Sequence, residues 1–170
     1  MDGIVERIGA AELRQLYAHW QELRGGRFAP ARRELDPTQI PRLLPYLALV
    51  EVRGDGRLRY RLAGTEVEQF FGTKMTGRHL DELASGEYRQ FLEDVYRAVI
   101  ERRVPVYATN TYAGRGLRTA RLLLPLSSDG VRVDMVLVGQ TFERGRGAVK
   151  AVATGHGAIT DVEVIIGEPP

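Results

Sequence analysis

The chain contains no cysteine among its 170 residues. This absence excludes disulfides, thiolate catalysis, cysteine-ligated zinc or iron–sulfur clusters, and every cofactor attached through a thioether. Histidine is also scarce, with three residues in all, and none has a second histidine at the spacing of a metal-ligand pair. We therefore expect no metal site.

Long hydrophobic runs and lysines are also lacking. No apolar stretch reaches the roughly 18 residues needed to cross a bilayer, and the charged start, residues 1–7, does not have the apolar segment of a signal peptide. Lys74 and Lys150 are the two lysines. Arginines are scattered among 22 acidic residues, whereas a nucleic-acid binder concentrates its positive charge on one face. We expect a cytoplasmic protein that contacts neither membrane nor nucleic acid.

What the chain does have is an ordinary globular composition, with 44% hydrophobic and 27% charged residues. Apolar residues spaced i, i+3, i+4 and i+7 predict an amphipathic helix over about residues 10–24. The stripe consists of Leu13, Leu16, Tyr17 and Trp20. Because such a stripe must be buried somewhere, we expect these side chains to form a homodimer interface, with packing against the chain's own sheet as the alternative.

The later part of the chain reads as two strands, a group of short helical segments, one long helix and three further strands. The long helix is predicted between Tyr88 and Ile100, where the apolar spacing is most regular. The strand-like segments cover residues 46–52, 57–62, 106–112, 117–126 and 131–142. Residues 161–166 are compatible with one more edge strand.

This order of elements and four short motifs resemble the PAS superfamily. The motifs are LDPTQIPRLLP (residues 35–45), RYRLAGT (59–65), TGR (76–78) and RLLLPL (121–126). They are similar to the compact single-domain PAS proteins of alphaproteobacteria. The resemblance implies an α+β fold: a five-stranded antiparallel sheet with short helices and one long helix on one face, preceded by the amphipathic N-terminal helix.

The resemblance also implies a division of the chain and a mode of action. We expect an N-terminal helix and loop over residues 1–35, a PAS-type domain over 36–142 and a C-terminal tail over 143–170. The tail is too short for a kinase, cyclase or DNA-binding output domain. The implied function is a sensory or signalling module, without catalysis, whose output passes through an unidentified signalling protein.

A PAS fold implies a small cavity between the helices and the sheet, where a small-molecule ligand could bind. The candidate wall residues are Tyr60, Phe70, Phe71, Tyr96, Ala108, Asn110, Tyr112 and Gln140. Among them the polar groups that we expect to converge on a ligand are those of Tyr60, Tyr96, Asn110 and Gln140. The alternative is that these residues fill a core and that the protein is an interaction scaffold.

Known PAS cofactors require particular residues. A flavin photoadduct and a thioester-linked chromophore both need cysteine and are excluded. Haem needs an axial ligand, commonly a histidine on the long helix, where this sequence has none. His79 is the one histidine within the group of short helical segments, and we expect it to have a surface or capping role. We predict that the protein carries no cofactor.

An enzyme is the remaining alternative. A cone-shaped α+β isomerase or hydratase would also enclose an apolar cavity behind a curved sheet, and it would need a buried carboxyl group as general base. Asp134 is the one acid within a strongly apolar strand, and alternation points it outward, opposite Arg118 or Arg121. Motifs for a serine nucleophile, a phosphate-binding loop or a zinc protease are absent from the sequence, so we expect no catalytic residue.

Overall fold

The computed structural model describes residues 3–113, 116–144 and 158–170. The helices in these residues are α1 (Gly3–Arg7), α2 (Ala11–Arg24), α3 (Thr65–Phe71), α4 (Leu80–Leu83) and α5 (Gly86–Arg102). The strands are β1 (Leu47–Val52), β2 (Leu58–Ala63), β3 (Val106–Tyr112), β4 (Leu117–Leu126), β5 (Met135–Arg144) and β6 (Ile159–Ile166). Short 3₁₀ turns over residues 32–46 connect α2 to β1.

The described strands form one antiparallel sheet in the order β2-β1-β5-β4-β3-β6. The predicted α+β class and PAS architecture are confirmed, and β6 is added as a sixth strand at the edge, beside β3. The strand predicted over residues 131–142 instead begins at Met135. The preceding residues form a loop, because the Asp129 carboxylate accepts hydrogen bonds from the backbone N–H groups of Val131 and Arg132, both at 2.8 Å.

The sheet is covered on both faces, and each face has its own hydrophobic cluster. Side chains alternate across a strand, so β5 places Val138 and Gln140 on one face and Leu137 on the other. Helices α3, α4 and α5 contribute to the first cluster, together with Ala48 and Val50 of β1. The second cluster is formed by α1, α2 and the connecting segment before β1.

Helix α2 packs on the protein's own sheet, which is the alternative to the predicted homodimer interface at this helix. Its stripe residues Leu13, Leu16, Tyr17 and Trp20 are at most 3% exposed. Trp20 Nε1 donates a hydrogen bond to the carbonyl oxygen of Pro125, at 3.0 Å. The stripe is therefore covered within the chain, and α1, which the sequence pattern did not predict, buries Ile4 beside it.

A glycine on β5 allows this close packing. A Cβ atom added to Gly139 would lie 2.5 Å from Cδ2 of Leu16 and 2.8 Å from Cδ2 of Leu13. Contacts this short would force both leucine side chains to shift, so a larger residue at this position would require repacking between α2 and the sheet. Gly139 thus permits the observed packing of these leucines on β5.

The RYRLAGT motif has a similar structural explanation. Gly64 follows β2 and its N–H donates to the carbonyl oxygen of Leu47, at 2.7 Å. A Cβ at this position would overlap the backbone carbonyl oxygens of Leu44 and Pro45. Glycine is therefore required for the chain to pass this segment closely and begin α3.

Candidate functional site

A cavity of about 30 Å³ lies between the sheet and the helices α3 to α5. Its sheet wall contains Ala48, Tyr60, Arg121, Val138 and Gln140, and the opposite wall contains Phe71, Thr73, Met75, Leu80, Leu83, Ala84, Tyr88, Leu92 and Tyr96. At roughly 10 to 15 Å³ for each water-sized sphere, this space corresponds to two or three water molecules. The cavity is small, and its wall is apolar apart from a few polar groups.

The structure separates the predicted wall residues into two sets. Tyr60, Phe71, Tyr96 and Gln140 line the cavity. The other predicted wall residues are buried beside it, outside the lining: Phe70, Ala108, Asn110 and Tyr112. In this second set, the ring of Phe70 stacks on Phe142 with centroids 3.9 Å apart. These residues belong to the packed core, and the four predicted polar groups do not all converge on one point.

Arg121, which was not among the predicted site residues, is the charged group of the cavity. It lies on β4 and is 2% exposed. Its Nη1 donates to Asn110 Oδ1 and its Nη2 to Thr119 Oγ1, each at 3.0 Å. The guanidinium carbon also lies 5.2 Å from the ring centroid of Phe91, within the range of a cation–π contact. Asn110, a predicted ligand-binding residue, thus holds the arginine in place.

The guanidinium has no carboxylate partner among the described residues. The buried polar residues of the described chain include no aspartate or glutamate. A third, longer hydrogen bond runs from Nη2 to the hydroxyl of Tyr88, at 3.4 Å, so three of the guanidinium's five N–H groups have protein acceptors. Burial opposes the charged form, but the surrounding tyrosine oxygens outweigh it and raise the pKa of Arg121. The side chain is a buried cation.

Gln140 lies beside Arg121, on the neighbouring strand. The two residues are register partners on β5 and β4, and Gln140 is 7% exposed. Its side-chain Nε2 is buried and has no hydrogen-bond partner in the described structure. Because a buried donor without an acceptor costs about 1 to 3 kcal/mol, it marks a place where an acceptor is missing.

The tyrosines around the cavity are neutral. Burial raises the pKa of Tyr60, and it raises those of Tyr88 and Tyr96 well above the ordinary value of 10.0. The hydroxyl of Tyr96 lies near that of Tyr60. The buried hydroxyl of Tyr112 lies near Tyr88 but has no partner with hydrogen-bond geometry in the described structure. None of these phenols therefore supplies negative charge to Arg121.

The loop after α3 closes one side of the cavity with Met75. The carboxylate of Glu68 accepts a hydrogen bond from the Met75 backbone N–H at 2.9 Å and pairs with Lys74 Nζ at 3.1 Å. Burial alone would raise the pKa of Glu68, but these contacts outweigh it and lower the pKa. Glu68 therefore fixes the position of Met75 over the cavity.

Two residues singled out from the sequence lie away from the cavity lining. His79 precedes α4, and its backbone N–H donates to Glu82 Oε2 at 2.9 Å. Asp134 lies before β5, where its Oδ2 accepts a hydrogen bond from the Ser128 backbone N–H at 3.0 Å. It is six residues from Gln140, or roughly 20 Å along an extended strand. The expectation that Asp134 faces Arg118 or Arg121 is wrong.

A larger hollow of about 390 Å³ lies on the other side of β1 and β2. Its walls are mostly apolar and include Leu44 and Leu62, which are themselves exposed. It contains no buried charged group comparable to Arg121. The internal cavity is therefore the stronger candidate for a ligand site.

The signal that would have identified Arg121 is the alternation along β4. Thr119, Arg121 and Leu123 lie on the same face of the strand, and Leu123 belongs to an apolar run that has to be buried. The charge of Arg121 alone predicts that it faces solvent. Its place in the alternation predicts that it is buried. The polar partners that allow it to be buried come from β4 itself, from β3 and from α5, namely Thr119, Asn110 and Tyr88.

Comparison with known protein families gives one match. A family model described as PAS domain matches residues 9–139. This range includes α2, which the sequence prediction assigned to a separate N-terminal segment. No curated protein matches the chain.

In the described part of the chain, no helix is long and apolar enough to cross a membrane, and no group of three or more potential ligand side chains could hold a metal ion.

Proposed function

The chain belongs to the PAS domain family, and from this premise we propose that it is a sensory or signalling module that binds a small ligand in the internal cavity and acts through a partner protein. The observation that carries the proposal is the buried donor of Gln140 at the cavity wall, with no acceptor among the described residues. An apolar side chain would fill a core at lower cost. A ligand with an acceptor atom would satisfy this donor.

The proposal includes no catalytic step and no cofactor. The residue on which an isomerase or hydratase would depend, Asp134, lies outside the cavity lining. The described cavity is also far too small for a porphyrin or a flavin, and His79 is outside its wall. Binding, rather than chemistry, is the activity that the residues around the cavity support.

A protein-interaction scaffold is the second candidate. The observation that favours it is the size of the cavity, about 30 Å³, which is close to that of an ordinary packing defect. In a scaffold the cavity residues would contribute to stability alone. The two candidates therefore differ in what happens when the cavity is filled with extra methyl groups.

Two matched substitutions test this difference. Ala48 and Ala108 are both buried on the face of the sheet that α3, α4 and α5 cover, but Ala48 lines the cavity and Ala108 does not. Ala48→Val adds two methyl groups to open space, so the unliganded protein should keep its melting temperature, and a small molecule that binds the wild type should no longer bind. Ala108→Val overfills packed core and should cost about 1 to 3 kcal/mol of unfolding free energy.

The scaffold predicts no binding. If neither native mass spectrometry nor titration with added small molecules detects binding to the wild-type protein, while Ala48→Val keeps its melting temperature, ligand binding is rejected and the scaffold is supported. Thermal unfolding and mass spectrometry on the same three preparations give all of these outcomes.

A further inference from the structure

The cavity contains an uncompensated positive charge. Arg121 is buried, forms no ion pair with the described residues, and is surrounded by neutral tyrosines and a phenylalanine ring. Placing a charge in a protein interior without a counter-charge is costly, and the cation–π contacts with Tyr88 and Phe91 offset only part of that cost. An anion in the cavity would supply the missing negative charge.

The unsatisfied polar groups at the cavity are donors. Nε2 of Gln140 has no protein acceptor in the described structure, and Arg121 donates only to neutral acceptors there, those of Asn110, Thr119 and Tyr88. A carboxylate offers two oxygens with a negative charge, and these can accept hydrogen bonds from a guanidinium and an amide. A cation would be repelled by Arg121, and a purely apolar ligand would leave the donors unpaired.

The cavity volume limits the size of the anion. Space for two or three waters accommodates about three or four non-hydrogen atoms. Formate and acetate are within this limit, whereas a dicarboxylate such as succinate is not.

From charge, donor set and volume together, we propose that the cavity binds a small monocarboxylate of the size of formate or acetate, held by Arg121 and Gln140. This inference rests on the proposed function, because it names the ligand class of the same cavity. For a ligand of about four non-hydrogen atoms, the upper limit on ligand efficiency sets a Kd no tighter than about 40 µM. Titrations therefore have to reach millimolar concentrations.

The test is a titration of the full chain with sodium acetate and sodium formate, up to about 50 mM at constant ionic strength, followed by thermal unfolding and calorimetry. Acetamide, a neutral molecule of the same shape as acetate, and sodium chloride are the comparison solutes. We expect a saturable rise in melting temperature with acetate or formate, and none with acetamide, chloride or succinate.

Three variants connect binding to the named residues. Gln140→Leu removes one donor and should weaken acetate binding about tenfold, the value of a hydrogen bond to a charged group. Arg121→Met removes the charge and should abolish saturable binding; if this variant does not fold, Gln140→Leu decides the question. Arg118→Gln is the control, since Arg118 lies on the same strand but is exposed, and its binding curve should match the wild type.

The outcomes separate this inference from the proposed function. Equal effects of acetate, acetamide and chloride, or acetate binding that persists unchanged in Gln140→Leu and Arg121→Met, would overturn the carboxylate assignment. If native mass spectrometry then shows a neutral molecule that Ala48→Val displaces, the ligand-binding function stands with a different ligand class. If neither native mass spectrometry nor any titrated solute shows binding, the ligand-binding function itself fails.

Discussion

Replacing Trp20 by alanine tests whether α2 belongs to the folded domain. The indole is 1% exposed and its N–H is bonded to the carbonyl oxygen of Pro125. Truncation of a buried tryptophan costs about 3 to 5 kcal/mol, and it leaves this carbonyl without its donor. For a chain of this size, that loss lowers the melting temperature by roughly 6 to 20 °C.

Urea unfolding followed by circular dichroism measures this loss. Trp20 is the only tryptophan of the chain, so its fluorescence cannot be used in the variant. Because the contact lies within one chain, the destabilisation should be the same across a hundredfold range of protein concentration. Trp20→Phe keeps much of the packing and should lose about 1 to 2 kcal/mol. Gln15→Ala, on the exposed side of the same helix, should change little.

A different outcome would refute this account of α2. If Trp20→Ala leaves the unfolding midpoint of dilute protein unchanged and instead dissociates a dimer in light scattering, the stripe faces a second chain. The homodimer would then be formed by the residues that the sequence pattern indicated. Concentration dependence thus distinguishes intramolecular packing from association.

Three further predictions follow from the same structure. Gly139→Ala should cost about 1 to 3 kcal/mol in urea unfolding, because its Cβ meets Leu16, whereas Gly54→Ala, with no atom within 4 Å of its Cβ, should be nearly neutral. The pKa of Glu68 is lower in the folded state than its ordinary 4.5, so its contribution to stability is complete above that value and is lost as the pH falls through the folded pKa. Glu68→Gln should therefore be less stable than wild type by about 1 to 2 kcal/mol at neutral pH, and the difference should shrink in acid; a constant difference would contradict this account. The purified protein should show no Soret absorption, and a Soret band restored by haemin and lost in His79→Ala would disprove this.

Local pattern predicted most of the elements because these have clear periodicity. The strands at residues 106–112 and 117–126 were predicted with the bounds that the structure gives. Helix α1 has five residues, too few to produce a recognisable repeat. The stripe on α2 showed that one side of the helix is buried, but periodicity contains no information about what covers it. The closeness of Gly139 to that helix depends on tertiary contacts.

The candidate site was predictable only in part. Tyr60 lies on a strand whose inward face follows from alternation, Tyr96 lies on a helix whose inward face follows from its apolar stripe, and both line the cavity. Arg121 was missed because an arginine is ordinarily solvent-exposed, and its burial depends on partners from other strands and from α5. Those partners, Asn110 and Tyr88, come together only when β3, β4 and α5 are packed.

The adjacent positions of Gly139 and Gln140 have a mechanical consequence. Gln140 lines the cavity on one face of β5, and Gly139 contacts α2 on the other, with no spare distance between that backbone and the leucines of the helix. The strand cannot move towards α2 without pushing against these leucine side chains, because no gap separates them. A shift of β5 at the cavity wall would therefore press directly on the leucines of α2, one peptide unit away, without a hinge and without a chain of intermediate side chains.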